Sequence, residues 1–269
     1  MTGLPGSVGT IGAGNMAEAI LCGLLRAGVS PASLSAADPD ASRRERIEAL
    51  GVRTTASNLE LARGAELVVL AVKPQQLASA AASLPRDGGP LYLSIVAGAT
   101  TAVLRRQLGA HARIVRSMPN TPALIGAGIS AVASDSGATP GDLELACAVL
   151  RAVGSVVRVP ESALDAVTGL SGSGPAYLFA FIEALIEAGA REGLAPETAR
   201  ALALETVHGA ARLALESGED PAVLRERVSS PGGTTLAGLG ALSEGGGREA
   251  ILAAVHRATE RSKQLAAGG

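Results

Sequence analysis

The chain has 269 residues, of which 47% are hydrophobic and 18% are charged, and its formal net charge is −2. This length suits one large or two ordinary globular domains, and the apolar share argues against disorder. The near-neutral charge and the presence of only two lysines, Lys73 and Lys263, disfavour nucleic acid and anionic membranes as partners. With two Tyr, two Phe and no Trp, the sequence also excludes a base-stacking platform.

The location of the protein is predicted from three negative features. Residues 1–7 contain no basic region and lead directly into a strand pattern, so we expect no signal peptide. The long uncharged stretches, such as residues 88–104, are interrupted by Gly, Thr and Pro and do not resemble membrane spans. Cys22 and Cys147 lie far apart in apolar patterns, which favours buried thiols over a disulfide. Together these features predict a cytoplasmic protein.

The first 160 residues alternate short apolar runs with helical patterns. This alternation predicts an α/β fold with a parallel sheet covered on both faces, and several runs are apolar throughout, as such strands are. The predicted strands are Val8–Ile11, Leu34–Ala37, Leu67–Val72, Leu91–Val96, Arg113–Arg116, Ile129–Ala133 and Val156–Val159. The predicted helices are Met16–Arg26, Ser42–Leu50, Gln75–Leu84, Thr101–Leu108 and Gly141–Val153.

After Pro160 the pattern becomes entirely helical. The predicted helices are Ala163–Leu170, Pro175–Glu192, Pro196–Glu216, Ala222–Val228, Thr235–Leu242 and Arg248–Leu265. In the second of these, Leu178, Phe181, Ile182 and Leu185 fall on one helix face. A helix this apolar needs a partner, so it is either a subunit interface or a buried core helix.

The segment Val8–Ala17 carries the first motif with chemical meaning. It is a strand that runs into Gly12-Ala-Gly14-Asn-Met-Ala17 and then into a helix, the pattern of a dinucleotide-binding turn. Glycines allow the backbone to approach a pyrophosphate, whose charge then lies at the helix N-terminus. We therefore predict a Rossmann-type domain over residues 1–160, followed by an all-helical domain over residues 161–269. A plain strand–helix turn is the alternative.

The choice between NADH and NADPH is open at the end of the second predicted strand. Asp38 stands at the distance expected of an acid that binds ribose hydroxyls in NAD sites. Arg43 and Arg44 follow closely and are suited to the 2′-phosphate of NADP. An alternative role for Asp38 is that of N-cap of the next helix.

Two longer segments point to a specific family. Asp165-Ala-Val-Thr-Gly-Leu-Ser-Gly-Ser-Gly-Pro-Ala-Tyr177 and Arg227-Val-Ser-Ser-Pro-Gly-Gly-Thr-Thr-Leu236 resemble segments of pyrroline-5-carboxylate reductases. Shorter matches are Val72-Lys73-Pro74, Ala97-Gly98 and Met118-Pro-Asn-Thr-Pro122, in the family's order. The resemblance covers almost the whole chain.

The resemblance implies roles for residues at the ends of the predicted strands. In open α/β folds this edge of the sheet binds ligands. It implies that Val72, Pro74, Ala97 and Asn120 lie on the nicotinamide side and Asn58 near the adenosine end, and Lys73 is also expected to bind the cofactor. The glycine motif and the start of its helix give Gly12, Gly14, Asn15 and Met16 as the further cofactor-binding residues. A purely structural alternative makes Pro74 and Pro119 strand terminators.

The turn at residues 229–235 is the candidate substrate site. A glycine-bearing turn before a helix directs consecutive N–H groups toward one point, which suits a carboxylate. The resemblance implies that Ser230, Gly233 and Thr234 bind the substrate carboxylate and that the Thr235 hydroxyl bonds the ring nitrogen. Without the resemblance, an ordinary helix cap is the simpler interpretation. Whether Ser171 or Tyr177 contacts substrate stays open.

The predicted function is the reduction of 1-pyrroline-5-carboxylate to L-proline by NADPH or NADH, with Thr235 as the catalytic residue. The alternatives are a β-hydroxyacid dehydrogenase and a non-catalytic nucleotide-binding regulator. The first uses a helix-borne lysine, which is missing between Lys73 and Lys263. No metal site is predicted, since His111, His208 and His256 lack ligand spacing. The resemblance implies a homodimer, which in some members assembles into rings.

Overall fold

The computed structural model describes residues 3–86, 89–134 and 137–267. By its contacts the chain divides into two compact units. The first unit contains the chain up to Ser173 together with the stretch that begins at His256, and the second is Gly174–Val255. The boundary at residue 160 was drawn from sequence patterns and remains a prediction about domains.

The first unit is built on one sheet of eight strands within the described residues. Their order is β3-β2-β1-β4-β5-β6-β7-β8, and every pairing is parallel except that of β6 with β7. The bounds are β1 Val8–Ile11, β2 Leu34–Ala37, β3 Arg53–Thr55, β4 Leu67–Leu70, β5 Leu91–Ser94, β6 Ile114–Met118, β7 Gly128–Ser134 and β8 Gly154–Arg158.

The pairing of β6 with β7 is the antiparallel exception in a sheet that is otherwise parallel, as predicted. The segment 119–127 between them is shorter than the dozen or so residues that a parallel crossover needs. Its middle forms a short 3-10 helix, Thr121–Ile125, so the chain turns back beside β6. All the pairings among β3, β2, β1, β4, β5 and β6 are parallel, in agreement with the predicted parallel sheet.

Both faces of the sheet are buried. Along β4, Leu67 and Val69 belong to one apolar cluster, while Val68 and Leu70 belong to another, as the alternation of strand side chains requires. The covering helices are α1 Asn15–Arg26, α2 Ala41–Glu48, α3 Asn58–Gly64, α4 Leu77–Ala81, α5 Thr101–Leu108 and α6 Pro140–Arg151. The α/β fold class is therefore confirmed.

Two elements were not predicted. The strand β3 is a three-residue edge strand of polar residues, Arg-Thr-Thr, and it lacks the apolar run on which the strand prediction relied. Helix α3, which follows it, is only seven residues long and is capped by Ser57. The predicted helix 75–84 is also shorter, because its start is the 3-10 helix Pro74–Gln76.

The remaining elements are helical, as predicted. They are α7 Leu164–Val167, α8 Gly174–Arg191, α9 Pro196–Ser217, α10 Pro221–Arg227, α11 Thr234–Glu244 and α12 Gly247–Ala267. A π-helical turn, Thr168–Gly172, joins α7 to α8. Such turns occur often at functional sites.

Helix α8 contains no buried residue within the chain. The alternative that it is a core helix of its own domain is therefore wrong. By length and composition alone, the helical stretch Glu161–Arg191 would be able to cross a membrane, and only 6% of its most apolar window is buried. One such helix is weak evidence for a membrane span, because interface and core helices have the same composition.

Candidate active site

The turn after β1 has the backbone geometry of a phosphate-binding loop. Gly12 has φ +94°, and a Cβ there would lie 2.6 Å from the carbonyl oxygen of Ala71. A side chain is therefore excluded by both conformation and space. A Cβ on Gly14 would meet nothing within 4 Å, and Gly14 is the N-cap of α1 without any side-chain capping bond. The first N–H groups of α1 are thus open to an anion.

A cavity of about 540 Å³ adjoins this turn. It lies where the loops that follow β1, β2 and β4 meet, at the carboxyl ends of these strands. Of the residues predicted for the cofactor, the cavity is lined by Gly12, Gly14, Asn15, Asp38, Arg43, Asn58, Val72 and Lys73. Its size is within the usual range for a small-molecule site.

Asp38 holds the glycine-rich turn as well as lining the cavity. Its side chain is 5% exposed. One carboxylate oxygen accepts the N–H of Ala13 at 2.8 Å, and the other accepts the N–H of Asp40 at 2.9 Å. Asp38 is not the N-cap of α2, because that position belongs to Asp40, which accepts the N–H of Ser42. These hydrogen bonds with Ser42 lower the pKa of Asp40.

The arginines beside Asp38 differ in what they contact. Arg43 is 3.5 Å from the Asp38 carboxylate and lines the cavity with a half-exposed side chain. Arg44 donates to the carbonyl oxygens of Asp38 and Pro39, which occupies its guanidinium within the loop. Arg43 is therefore the one of this pair that faces the cavity.

The glycine-bearing turn at residues 229–235 lies in the second unit. Gly232 has φ +71°, and the N–H of Gly233 donates to the carbonyl oxygen of Ser230 at 3.0 Å. A Cβ on Gly233 would be 2.6 Å from the Ser230 hydroxyl, so a side chain there would displace this hydroxyl. Helix α11 begins directly afterwards at Thr234, and Gly233 as its N-cap supplies no side-chain bond. Ser230, Thr234 and Thr235 are exposed.

Comparison with known proteins gives the family of this chain. Residues 161–265 match the model of pyrroline-5-carboxylate reductase dimerisation, and residues 7–98 match that of NADP oxidoreductase, coenzyme F420-dependent. A pyrroline-5-carboxylate reductase of Methanosarcina acetivorans is 42% identical over 96% of this chain and 97% of its own length. One from Synechocystis is 44% identical over 96% of this chain and 97% of its own.

This chain belongs to the pyrroline-5-carboxylate reductase family. Solved structures agree: the enzyme of Coxiella burnetii superimposes with a TM-score of 0.91 at 38% identity, covering 97% of this chain and 98% of that one. The Plasmodium falciparum enzyme, solved with NADP bound, gives a TM-score of 0.87 at 30% identity over 97% and 98% of the two chains. The family suggested by the sequence motifs is thereby confirmed.

Four predicted cofactor residues do not line the cavity. Met16 is half-buried and packs against the core cluster beneath α1. Pro74 is exposed at the start of its 3-10 helix, and Ala97 is half-buried in the loop between β5 and α5. Asn120 is 9% exposed, and its Oδ1 accepts the N–H of Ile129 at 2.9 Å. Because its oxygen is held in this way, the amide NH₂ is the group left to donate.

The cavity also contains residues that sequence reasoning missed. Arg46 is a further lining cation and forms an ion pair with Glu18. It lies three positions after Arg43 on α2, and this helical spacing was the available signal. Gln76, Ser79 and Ala80 line the side next to α4, and the Asn58 amide donates to the carbonyl of Ala80 at 3.1 Å.

Metal ligands do not cluster in the described part of the chain: no group of three or more His, Cys, Asp or Glu side chains is suited to hold an ion there. His208 instead lies 3.7 Å from Glu205 on exposed α9. Of the two thiols, Cys147 is fully buried and Cys22 only partly, and burial raises the pKa of both. The charged side chains that line the cavity are Asp38, Arg43, Arg46 and Lys73.

Proposed function

We propose that this chain reduces the C=N bond of 1-pyrroline-5-carboxylate with NAD(P)H and releases L-proline. The observation that best supports this function is the similarity of the chain to pyrroline-5-carboxylate reductases from an archaeon, a cyanobacterium and plants. The identity is about 40% over nearly the full chain. The β-hydroxyacid dehydrogenase alternative lacks its helix-borne lysine, and a non-catalytic regulator would not need the turn at residues 229–235.

The cofactor is NADPH or NADH, and the residues of the first unit fit it. When bound, it supplies the hydride that forms the new C–H bond. We propose that Gly12, Gly14, Asn15 and Met16 surround its pyrophosphate, for which the open N–H groups of α1 and the space beside Gly14 are suited. Asp38 and Arg43 then lie at the adenosine ribose, and Asn58 lies near the adenine.

The nicotinamide side is assigned to loops that follow β4, β5 and β6. We propose Val72, Lys73, Pro74, Ala97 and Asn120 for this role. Val72 and Lys73 already line the cavity, and Asn120 presents a donor because Ile129 fixes its oxygen. An amide donor of this kind can orient a carboxamide group.

The substrate is assigned to the turn of the second unit. Ser230, Gly233 and Thr234 offer hydroxyl and N–H groups to a carboxylate at the start of α11, where the helix dipole favours negative charge. The Thr235 hydroxyl then bonds the ring nitrogen. Because a protonated imine is electrophilic at carbon, the chain needs no strong acid, and it accelerates the reaction by positioning and by electrostatics.

The experiment that tests the function is the loss of NADPH or NADH absorbance on addition of 1-pyrroline-5-carboxylate, with proline measured as product. The matched control is the oxidation of a β-hydroxyacid by NAD(P)⁺, for which we expect no turnover. Turnover of the hydroxyacid but not of pyrroline-5-carboxylate would instead indicate a β-hydroxyacid dehydrogenase. Cofactor binding without turnover of either compound would indicate a non-catalytic regulator.

The protein is an oligomer, as the match to a dimerisation domain indicates. We propose that it is a homodimer that can assemble into a ring of dimers, and that it works in the cytoplasm with neither nucleic acid nor membrane as a partner. The two free cysteines agree with a reducing compartment. We also propose residues 1–160 and 161–269 as its cofactor-binding and substrate-binding domains.

A further inference from the structure

The last turns of α12 pack against the loop between β5 and α5. Gly98 in this loop is buried and has φ +72°. A Cβ on Gly98 would lie 3.1 Å from the Cβ of Leu265 and 3.2 Å from the backbone nitrogen of Ala266. The backbone conformation of Gly98 therefore favours glycine, and the C-terminal helix approaches this residue closely.

A buried hydrogen bond fixes this end of α12. Ser262 is 3% exposed, and its hydroxyl donates to the Asp165 carboxylate on α7 at 2.6 Å. The stretch from His256 onward belongs by its contacts to the first unit, although α12 begins in the second. The hydrogen bond thus holds the helix end where it contacts Gly98.

The other end of the same loop is held by Glu161. Its carboxylate accepts the N–H of Thr101, the first residue of α5, at 2.7 Å, and also pairs with the buried Arg116 at 2.7 Å. Ala97 directly precedes Gly98 in this loop, is half-buried and contributes only a methyl group. The position of Ala97 is therefore set by residues that are distant in sequence.

We propose that the C-terminal part of α12, residues 262–266, positions the β5–α5 loop and, through Ala97, the nicotinamide ring. This inference rests on the proposed function, which assigns Ala97 to the nicotinamide side. Residues 262–266 act as positioning residues, since they act through the loop. A misplacement of about 1 Å in hydride transfer costs on the order of 100-fold in rate.

The test compares the full chain with two truncated chains. A chain ending at Gln264 removes the contact with Gly98, while a chain ending at Ala267 keeps it and is the matched control. We expect kcat to fall about 10-fold or more in the first and to stay within about 2-fold in the second. Affinity for ADP-ribose, or for its 2′-phosphate where NADPH is preferred, should be equal in both, because this fragment lacks the nicotinamide.

A pair of substitutions separates positioning from loss of folding. Asp165→Ala removes the acceptor of the Ser262 hydroxyl, whereas Asp165→Asn keeps an oxygen there, so Asp165→Asn should recover most of the kcat that Asp165→Ala loses. Unchanged kcat in the folded Gln264 chain overturns the proposal, and so does an equal loss of ADP-ribose affinity. Failure of the function itself is distinct, because the full chain would then not oxidise NAD(P)H with pyrroline-5-carboxylate.

Discussion

The two units of this protein bury their apolar side chains to very different extents. In the first unit, the sheet is covered on both faces and most of its strand residues are inaccessible. In α8 and α9 of the second unit, only Ala199 and Ala203 are buried, while large side chains such as Phe179 and Phe181 are 60% and 47% exposed. The first unit has a core of its own, whereas the second leaves most of its large apolar side chains exposed within the chain.

The largest expected effect concerns the exposed face of α8. Phe181→Glu places a charge where we expect a subunit interface, which costs about 3 kcal/mol or more in lost apolar burial and charge desolvation. The dimer dissociation constant should rise by more than about 100-fold, as measured by sedimentation velocity over a concentration series. Glu187→Gln on the same helix is the control. A dimer of unchanged affinity in Phe181→Glu would mean that α8 contacts no partner.

The second prediction separates substrate binding from cofactor binding. Thr235→Ala keeps the backbone amides at the start of α11 but removes the hydroxyl assigned to the ring nitrogen. Such a bond is worth roughly 1.5–3 kcal/mol, or on the order of 10- to 150-fold in kcat/KM for pyrroline-5-carboxylate. Cofactor Kd should not change, and Thr235→Ser should recover most activity. Full turnover in a folded Thr235→Ala sample would leave this turn with carboxylate binding alone.

The third prediction concerns the choice between NADPH and NADH at Asp38 in the first unit. Asp38→Ser removes repulsion toward a 2′-phosphate, about 1 kcal/mol or roughly 5-fold in the NADPH/NADH ratio of kcat/KM, in favour of NADPH. It also removes the acceptor of the Ala13 N–H, so both cofactors should bind more weakly. Asp38→Asn keeps an acceptor for the Ala13 N–H and should restore the affinity that both cofactors lose in Asp38→Ser. An unchanged ratio would limit Asp38 to holding the turn.

The smallest effect is a pH-dependent one at Glu161. Burial raises the pKa of this carboxyl, but the Thr101 N–H and Arg116 outweigh it, and the pKa lies below its ordinary 4.5. The ionised form therefore stabilises the fold above pH 4.5, and this contribution is lost as the pH falls through the folded-state pKa. Glu161→Gln should lower stability by about 1 kcal/mol at pH 7, a value reduced by partial exposure.

The measurement for Glu161 is the difference in Tm between wild type and Glu161→Gln across pH. The difference should be largest near neutral pH and should shrink as the pH falls through the folded-state pKa of Glu161. Combined with Arg116→Met, Glu161→Gln should add little, because both changes remove the same ion pair. A difference that stays constant down to acid pH would assign the loss to packing rather than to charge.

Much of the fold was predictable because its signals are local. The strands Val8–Ile11 and Leu34–Ala37 and the helix Thr101–Leu108 were predicted with the bounds that the structure has. Each combines an apolar run or helical spacing with a clear stop in the sequence. The polar edge strand β3 offered no such signal, and the reversal at β7 depended on the length of a connection rather than on composition.

The candidate site was predictable to the extent that motifs are contiguous. The turn after β1 was found from its glycine spacing and the segment 229–235 from the family resemblance, and Gly12 and Gly232 do have positive φ. The sequence could not show that Asp38 is engaged by Ala13, or that Arg43 faces the cavity while Arg44 does not. Arg43 and Arg44 are equivalent in the sequence, and only the folded loop gives them different contacts.

The sequence by itself determined the family, most of the strands and helices, and the two turns at which ligands are expected, because each depends on residues close together in the chain. Only the tertiary structure decided which side chains form hydrogen bonds with residues far away in the chain. Glu161 reaches Thr101 across 60 positions, and Ser262 reaches Asp165 across 97. Hydrogen bonds between such distant residues leave no periodic pattern, since they arise only when packing brings the groups within reach.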